Sequence, residues 1–172
     1  YISVMTVLNS VRQIAQTPVM AIADGATAVI SFNYGAKAYS RVRDAIRFMT
    51  QLAFGYTVLS WLLISLFPAA FIRIFNQDAA MLRAAIPSLH IYFFGFVMMA
   101  FQYSGQSTFK SLNRAGFAVF FSLLRKAFIV VPLTLVLPRV AGLGVNGVFA
   151  AEPISNLIGG LACYITMRCT VM

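Results

Sequence analysis

Apolar residues fall into five long runs separated by short basic gaps, over approximately 3–32, 50–74, 84–109, 116–138 and 141–167. Each is near the roughly 20 residues that a helix needs to cross about 30 Å of hydrocarbon, so the pattern predicts five membrane-spanning helices. The second run has no charge between Gln51 and Ile72, and its Pro68 falls near the far end, where proline costs a helix least. The third contains His90 but no formal charge, and the fifth carries only Glu152; both are long enough to span with tilt. Arg12 and Asp24 interrupt the first run, and the adjacent pair Arg125 and Lys126 interrupts the fourth. Between the first two runs, Asn33 and Gly35 are turn formers at the membrane edge. After them Tyr39, Val42 and Ile46 recur at helical spacing, with Lys37, Arg41, Asp44 and Arg47 on other faces. Residues 35–48 are therefore expected to form a short amphipathic helix along the anionic cytoplasmic leaflet.

Composition agrees with an all-α integral membrane protein. Of 172 residues 60% are apolar and 10% charged, with a mean hydropathy of +0.85, against roughly 45–50% and 25% in soluble domains. Sixteen Phe, seven Tyr and eight Met against four carboxylates leave most of the surface apolar as well, which is the situation of helices facing lipid. The net charge of +9 does not indicate a nucleic-acid partner, because the basic residues lie in the gaps and form no single stripe. Five spans gather Lys37, Arg41, Arg43, Arg47, Lys110, Arg114 and Arg168 on one side, and Arg73, Arg83 and Arg139 on the other. Arg125 and Lys126 join the first group if they lie near the start of their span. The positive-inside rule makes the first side cytoplasmic, with the C-terminus inside a multi-pass cell (plasma or inner) membrane. With no initiator Met and no signal-peptide pattern, the chain reads as opening inside a hydrophobic helix, as a piece of a longer protein does. Cys163 and Cys169, six apart on one helix, are not placed to bridge each other and read as packing residues.

The stretch DGATAVISFNYGAKAYSRVRDAIR resembles the signature of multidrug and toxic compound extrusion (MATE) transporters, usually close to QGxQPIISYNYGAxxYxRVK. The likeness rests on Gly25, Ile30, Ser31, Asn33, Tyr34, Gly35, Ala36, Tyr39, Arg41 and Val42. Further along, IRIFNQDAAMLRAAIPSLHIYFFGF, SLLRKAFIVVPLTLVLP and GLGVNGVFAAEPISNLIGG are similar, in order, to later parts of the family. The resemblance implies helices eight to twelve of a twelve-helix transporter built from two six-helix lobes, with the N-terminal lobe and the seventh helix absent. It also implies an antiporter exporting organic, cationic small molecules in exchange for H+ or Na+, without a cofactor. Where the family has two glutamines and a proline, this chain has Asp24, Thr27 and Ala28.

Asp24 is the leading candidate for the substrate or ion pathway, because an ionisable group inside a span costs several kcal/mol unless it faces a cavity or partner. Pairing with Arg12 on one straight helix is excluded: twelve residues separate them by about 18 Å. A partner on another helix, or a place near the cytoplasmic boundary, remains open. Glu152 precedes Pro153, which weakens the helix there; it serves transport, or it is buried against Arg125 or Arg12. His90 is a proton-sensitive group or an interfacial one. Gln102 and Gln106 share one face and either line the path or join helices by hydrogen bonds. An intramembrane enzyme would need paired acids, facing Ser and His, or HExxH, and the chain has one histidine and none of these spacings. No metal ligands are expected. A channel would show a re-entrant filter or rings of like charge. The alternative that remains is a flippase for lipid-linked oligosaccharide or polysaccharide on a related fold, which a strongly cationic cavity would favour; Arg12 stands as the only isolated intramembrane cation.

Overall fold

With no water in hydrocarbon to satisfy peptide groups, a chain this apolar must hydrogen-bond its own backbone, and helices are the local way to do so. The computed structural model describes residues 2–75, 79–140 and 145–171. Among them the helices are α1 (Ile2–Gly35), α2 (Tyr39–Leu66), α3 (Pro68–Arg73), α4 (Ala79–Phe93), α5 (Met98–Ser111), α6 (Ala115–Leu123), α7 (Val131–Val140) and α8 (Val145–Val171), with a π-helical segment, Leu124–Val130, joining α6 to α7. Four helical stretches are long and apolar enough to cross a membrane: α1, α2, the rod Ala115–Leu137, and α8 from Phe149. Helices α4 and α5 meet at a 46° bend and make a fifth span if counted together.

Several expected boundaries move. The 50–74 run breaks at Phe67 (φ −124°, ψ 51°) because proline disfavours helical geometry in the residue before it, and α3 starts afresh on Pro68. The 84–109 run breaks at residues 94–97, where Gly95 packs so closely on α8 that a Cβ would lie 2.6 Å from the Pro153 backbone. Residues 39–48 are continuous with α2 rather than a separate amphipathic helix over 35–48. Nor do Asn33 and Gly35 make the turn: both are helical, and Lys37 takes the left-handed conformation (φ 56°). The Ala38 N–H bonds to the Asn33 carbonyl and the Lys37 N–H to that of Tyr34, a Schellman closure. Residues 76–78, in the expected loop before α4, and 141–144, at the start of the expected fifth span, lie outside the described residues.

Polarity runs inside out relative to a soluble protein. Phe32, Phe48, Leu66, Phe94 and Phe128 are exposed, while Gln102, Ser104, Ser107, Thr108, Ser155 and Asn156 are buried. Phe128 is 72% exposed and Arg125, three residues earlier, 6%. Only a lipid exterior makes that distribution favourable. At the centre α5 lies against α8 and α1, with α2 packed against both α1 and α5 and α4 against α8. The π segment redirects the buried stripe of its rod. Ala118, Phe121 and Arg125 face inward, and α-helical spacing would continue through 128 and 132. Instead 128 and 132 are exposed and 129–130 and 133–134 are half-buried, a rotation that one wide turn supplies.

Candidate functional site

Polar residues from four elements meet between the helices, with Asn9 at the exposed edge of the group. Near the start of α1, Asn9 and Arg12 are three apart and share a face. On α8, Glu152 and Asn156 are four apart and also share one. Arg12 Nη1 lies 2.6 Å from Glu152 Oε1 and donates a 2.8 Å hydrogen bond to the Tyr92 hydroxyl of α4. That hydroxyl donates in turn to Asn9 Oδ1 at 2.6 Å. From the π segment, Arg125 Nη1 comes within 3.5 Å of the same Glu152 oxygen and hydrogen-bonds to Asn156 Oδ1. Gly159 makes room for this arm, since a Cβ there would sit 3.0 Å from Arg125 Cγ.

Two guanidiniums therefore share one carboxylate. The three side chains are 7–18% exposed, so attraction between them is poorly screened and so is the one positive charge left over. Arg12 Nε, Arg125 Nε and, one turn along α1, Gln16 Oε1 are buried with no hydrogen-bond partner among the described residues. The cluster holds polar capacity that its own members do not use.

The residues singled out by sequence do not all come together. Arg12 and Glu152 are brought together, and of the readings held for Glu152 the contacts match burial against both Arg12 and Arg125. Arg125 is buried in the same cluster as the half-buried Arg12, while Lys126 beside it is exposed, so Arg12 is not the only cation inside the bundle, contrary to its reading as the only isolated one. Asp24, three turns further along α1, is exposed and makes no hydrogen bond or ion pair among the described residues. On α5, Gln102 is buried with its Oε1 unpartnered and Gln106 is half-buried. His90 is exposed and lines an apolar cavity with Phe94, Pro153 and Ile154, apart from the charge cluster. The motif residues lie at the opposite end of α1. There Asn33 Nδ2 donates to the Val29 carbonyl (2.8 Å), the Ala36 N–H to that of Phe32 (3.0 Å), and the Tyr34 ring meets Tyr39 edge-on at 6.0 Å. Gly35 ends α1, and Arg41 is exposed. Cys163 is buried and Cys169 exposed. Among the described residues no three His, Cys, Asp or Glu side chains are placed to hold a metal ion. Sequence reasoning missed Asn9, Tyr92 and Asn156, although the helical spacing of the first and last from Arg12 and Glu152 was available.

A family model described as MatE matches residues 1–136. Among solved structures, an outward-facing multidrug resistance MATE family transporter of the MOP superfamily superposes with a TM-score of 0.91 at 18% identity, over 98% of this chain and 38% of that one. An inward-facing structure of such a transporter gives 0.89 at 17%, covering 98% and 39%. The MATE multidrug transporter DinF-BH, solved in complex with a ligand, gives 0.86 at 27%, covering 98% and 37%. The chain thus spans well under half the length of the structures it matches. Comparison with curated protein sequences gives no match.

Proposed function

Because the chain belongs to the MatE family, we propose that its protein is a secondary active exporter of organic, cationic compounds, driven by exchange for H+ or Na+. Family membership carries this reading, and a multidrug transporter of the same fold solved with a ligand bound supports it. In this reading the chain is the C-terminal lobe of a two-lobe protein in the cell membrane, with its C-terminus cytoplasmic. The lobes rock about a site between them, and ion binding favours one state over the other. The protein moves solutes and does no covalent chemistry.

The two intramembrane acids divide the work. Glu152 is gripped by two guanidiniums and ties α1 to α8 through Arg12. Asp24 has no ion-pair partner among the described residues and lies on an exposed face of a span, a costly arrangement in lipid unless that face meets water, substrate or another part of the protein. Asp24 is thus the group that exchanges a proton or cation, with Gln102 and Gln106 along the same route. The experiment is efflux of a fluorescent organic cation from proteoliposomes of the full-length protein under imposed H+ or Na+ gradients. Asp24→Asn should cut gradient-driven efflux at least about tenfold, the effect expected when a binding charge is lost, with the protein still folded. Absence of efflux by the unmutated protein under either gradient would overturn the exporter reading.

One observation favours a second reading, a flippase for lipid-linked oligosaccharide or polysaccharide. The cluster holds two guanidiniums to one carboxylate, and that excess suits an anionic diphosphate linkage better than a cation. Translocation of a diphosphate-linked glycolipid in the same vesicles would establish it.

A further inference from the structure

Five helix ends converge at one end of the bundle: the last turns of α1, α5 and α8 and the first turns of α2 and α6. Between them lies a cavity of about 260 Å³ whose polar lining comes from Tyr34, Tyr39, Arg43, Arg114 and Thr170. We propose that this cavity binds the phosphate of an anionic phospholipid head group.

The backbone already favours an anion there. Both entering turns close in the same way, with Lys37 and Asn113 at φ 56° and 57°. The Arg114 N–H bonds to the Phe109 carbonyl and the Asn113 N–H to that of Lys110, matching the turn after α1. These bonds occupy carbonyls at the negative ends of α1 and α5. By contrast, α2 and α6 begin at Ala38 and Arg114 with no side-chain cap, so no side chain of the helix end competes there for an anion; of the α6 first turn, the Phe117 N–H bonds to the Arg114 carbonyl. Arg43 and Arg114 supply guanidiniums, the fork geometry suited to phosphate, and neither has a carboxylate partner among the described residues. Lys37, Arg41, Arg47, Lys110 and Arg168 lie on the helix ends around them, with Asp44 as the local acid.

A second cavity indicates that the phosphate belongs to a lipid. About 440 Å³ in volume, it is lined by Gly116, Phe117, Phe120 and Phe121 of α6 and by Thr166 of α8. It lies one turn further into the membrane on the same two elements that give Arg114 and Thr170 to the first. A polar pocket at the helix ends, followed by an apolar groove along the span, matches a head group and the start of an acyl chain. Free phosphate would make no use of the groove.

The test is retention of added ligands by the delipidated full-length protein in detergent, read by native mass spectrometry. Dioleoyl-phosphatidylglycerol should be held about tenfold better than dioleoyl-phosphatidylcholine, and R43Q/R114Q should abolish that preference, as loss of charge-assisted bonds to phosphate predicts. R47Q/R168Q, which removes the same charge outside the pocket, should keep it. Equal retention of the two lipids, or equal loss in both double variants, would mean diffuse surface attraction and overturn the site. Displacement of the lipid by inorganic phosphate at matched concentration would assign the pocket to free phosphate and overturn the lipid. All four arginines are exposed, and circular dichroism would verify that the variants fold.

Discussion

Helix α1 passes through two unlike interiors. Near its start Asn9 and Arg12 enter a network with Tyr92, Glu152, Arg125 and Asn156 in which three members are ions and every contact crosses to another helix. Three turns after Arg12 begins a seam with α5 made only of hydroxyls and carbonyls. Thr27 Oγ1 and Ser107 Oγ are 2.7 Å apart, Ser107 donates to the Ala23 carbonyl at 2.7 Å, and Ser31 donates to the Ser111 carbonyl at 3.1 Å. Thr27 has one proton to place, on Ser107 or on the Ala23 carbonyl of its own helix, and the Ser111 hydroxyl donates to the Ser107 carbonyl within α5. A seam of neutral groups that can fall back on their own helices survives the loss of any one member. A cluster of ions cannot, because removing one leaves another charge buried. The contacts that hold the first half of this helix to its neighbours therefore depend on charge and those of the second half do not, while Asp24, exposed in the second half, takes no part in the seam.

The largest effect that would break this contrast is at Glu152. Glu152→Gln leaves Arg12 and Arg125 buried together without a carboxylate and should destabilise the protein by about 3–5 kcal/mol, the usual cost of opening a buried pair from one side. Unfolding in detergent, followed by circular dichroism, measures it; a loss below that of the seam variants would mean that the cluster is hydrated and the contrast false. Next come two glycines on the α8-facing side of the α4–α5 span. Gly95→Ala sets a Cβ 2.6 Å from the backbone of Pro153, beside Glu152, where the helix itself must move. Gly105→Ala meets Cys163 Sγ at 2.7 Å and the Cys163 backbone only at 3.3 Å, so the shift it asks of the helix is smaller. Overpacking places the first near the upper end of about 1–3 kcal/mol and the second near the lower. If the order were reversed in the same assay, the charged half would be the more yielding of the two.

The two halves were also unequally legible in the sequence. Five apolar runs announce five crossings, because hydrocarbon thickness demands that many residues, and Arg12, Arg125 and Glu152 stand out as charges inside them. Pro68 marks the break that Phe67 makes, and Gly95 in Phe-Phe-Gly-Phe hints at the bend. No pattern signals the π segment, whose one wide turn sends Arg125 inward and Phe128 outward. Tyr92 was unreadable for a different reason: its only polar atom works through Asn9 and Arg12, 80 or more residues away. The seam was invisible too, since Ser and Thr in a span bond their own backbone as readily as a neighbour. Asp24 is legible only as an anomaly, and its exposed position leaves its role to the efflux measurement.

The smallest effect tests the neutral half directly. Thr27→Ala and Ser107→Ala, singly and together, form a cycle whose coupling energy isolates their mutual 2.7 Å contact. Interhelical hydrogen bonds in membranes average only about 0.6 kcal/mol, because the separated helices find other partners. Thr27 has such a partner in the Ala23 carbonyl, so the coupling should lie at or below about 0.6 kcal/mol. An equivalent cycle between Arg12 and Glu152 should exceed it several-fold, since the opposite charges on their own helices, Asp24 and Arg168, lie three or more turns away and out of reach. Equal couplings would mean that α1 is held to its neighbours by the same kind of force along its length.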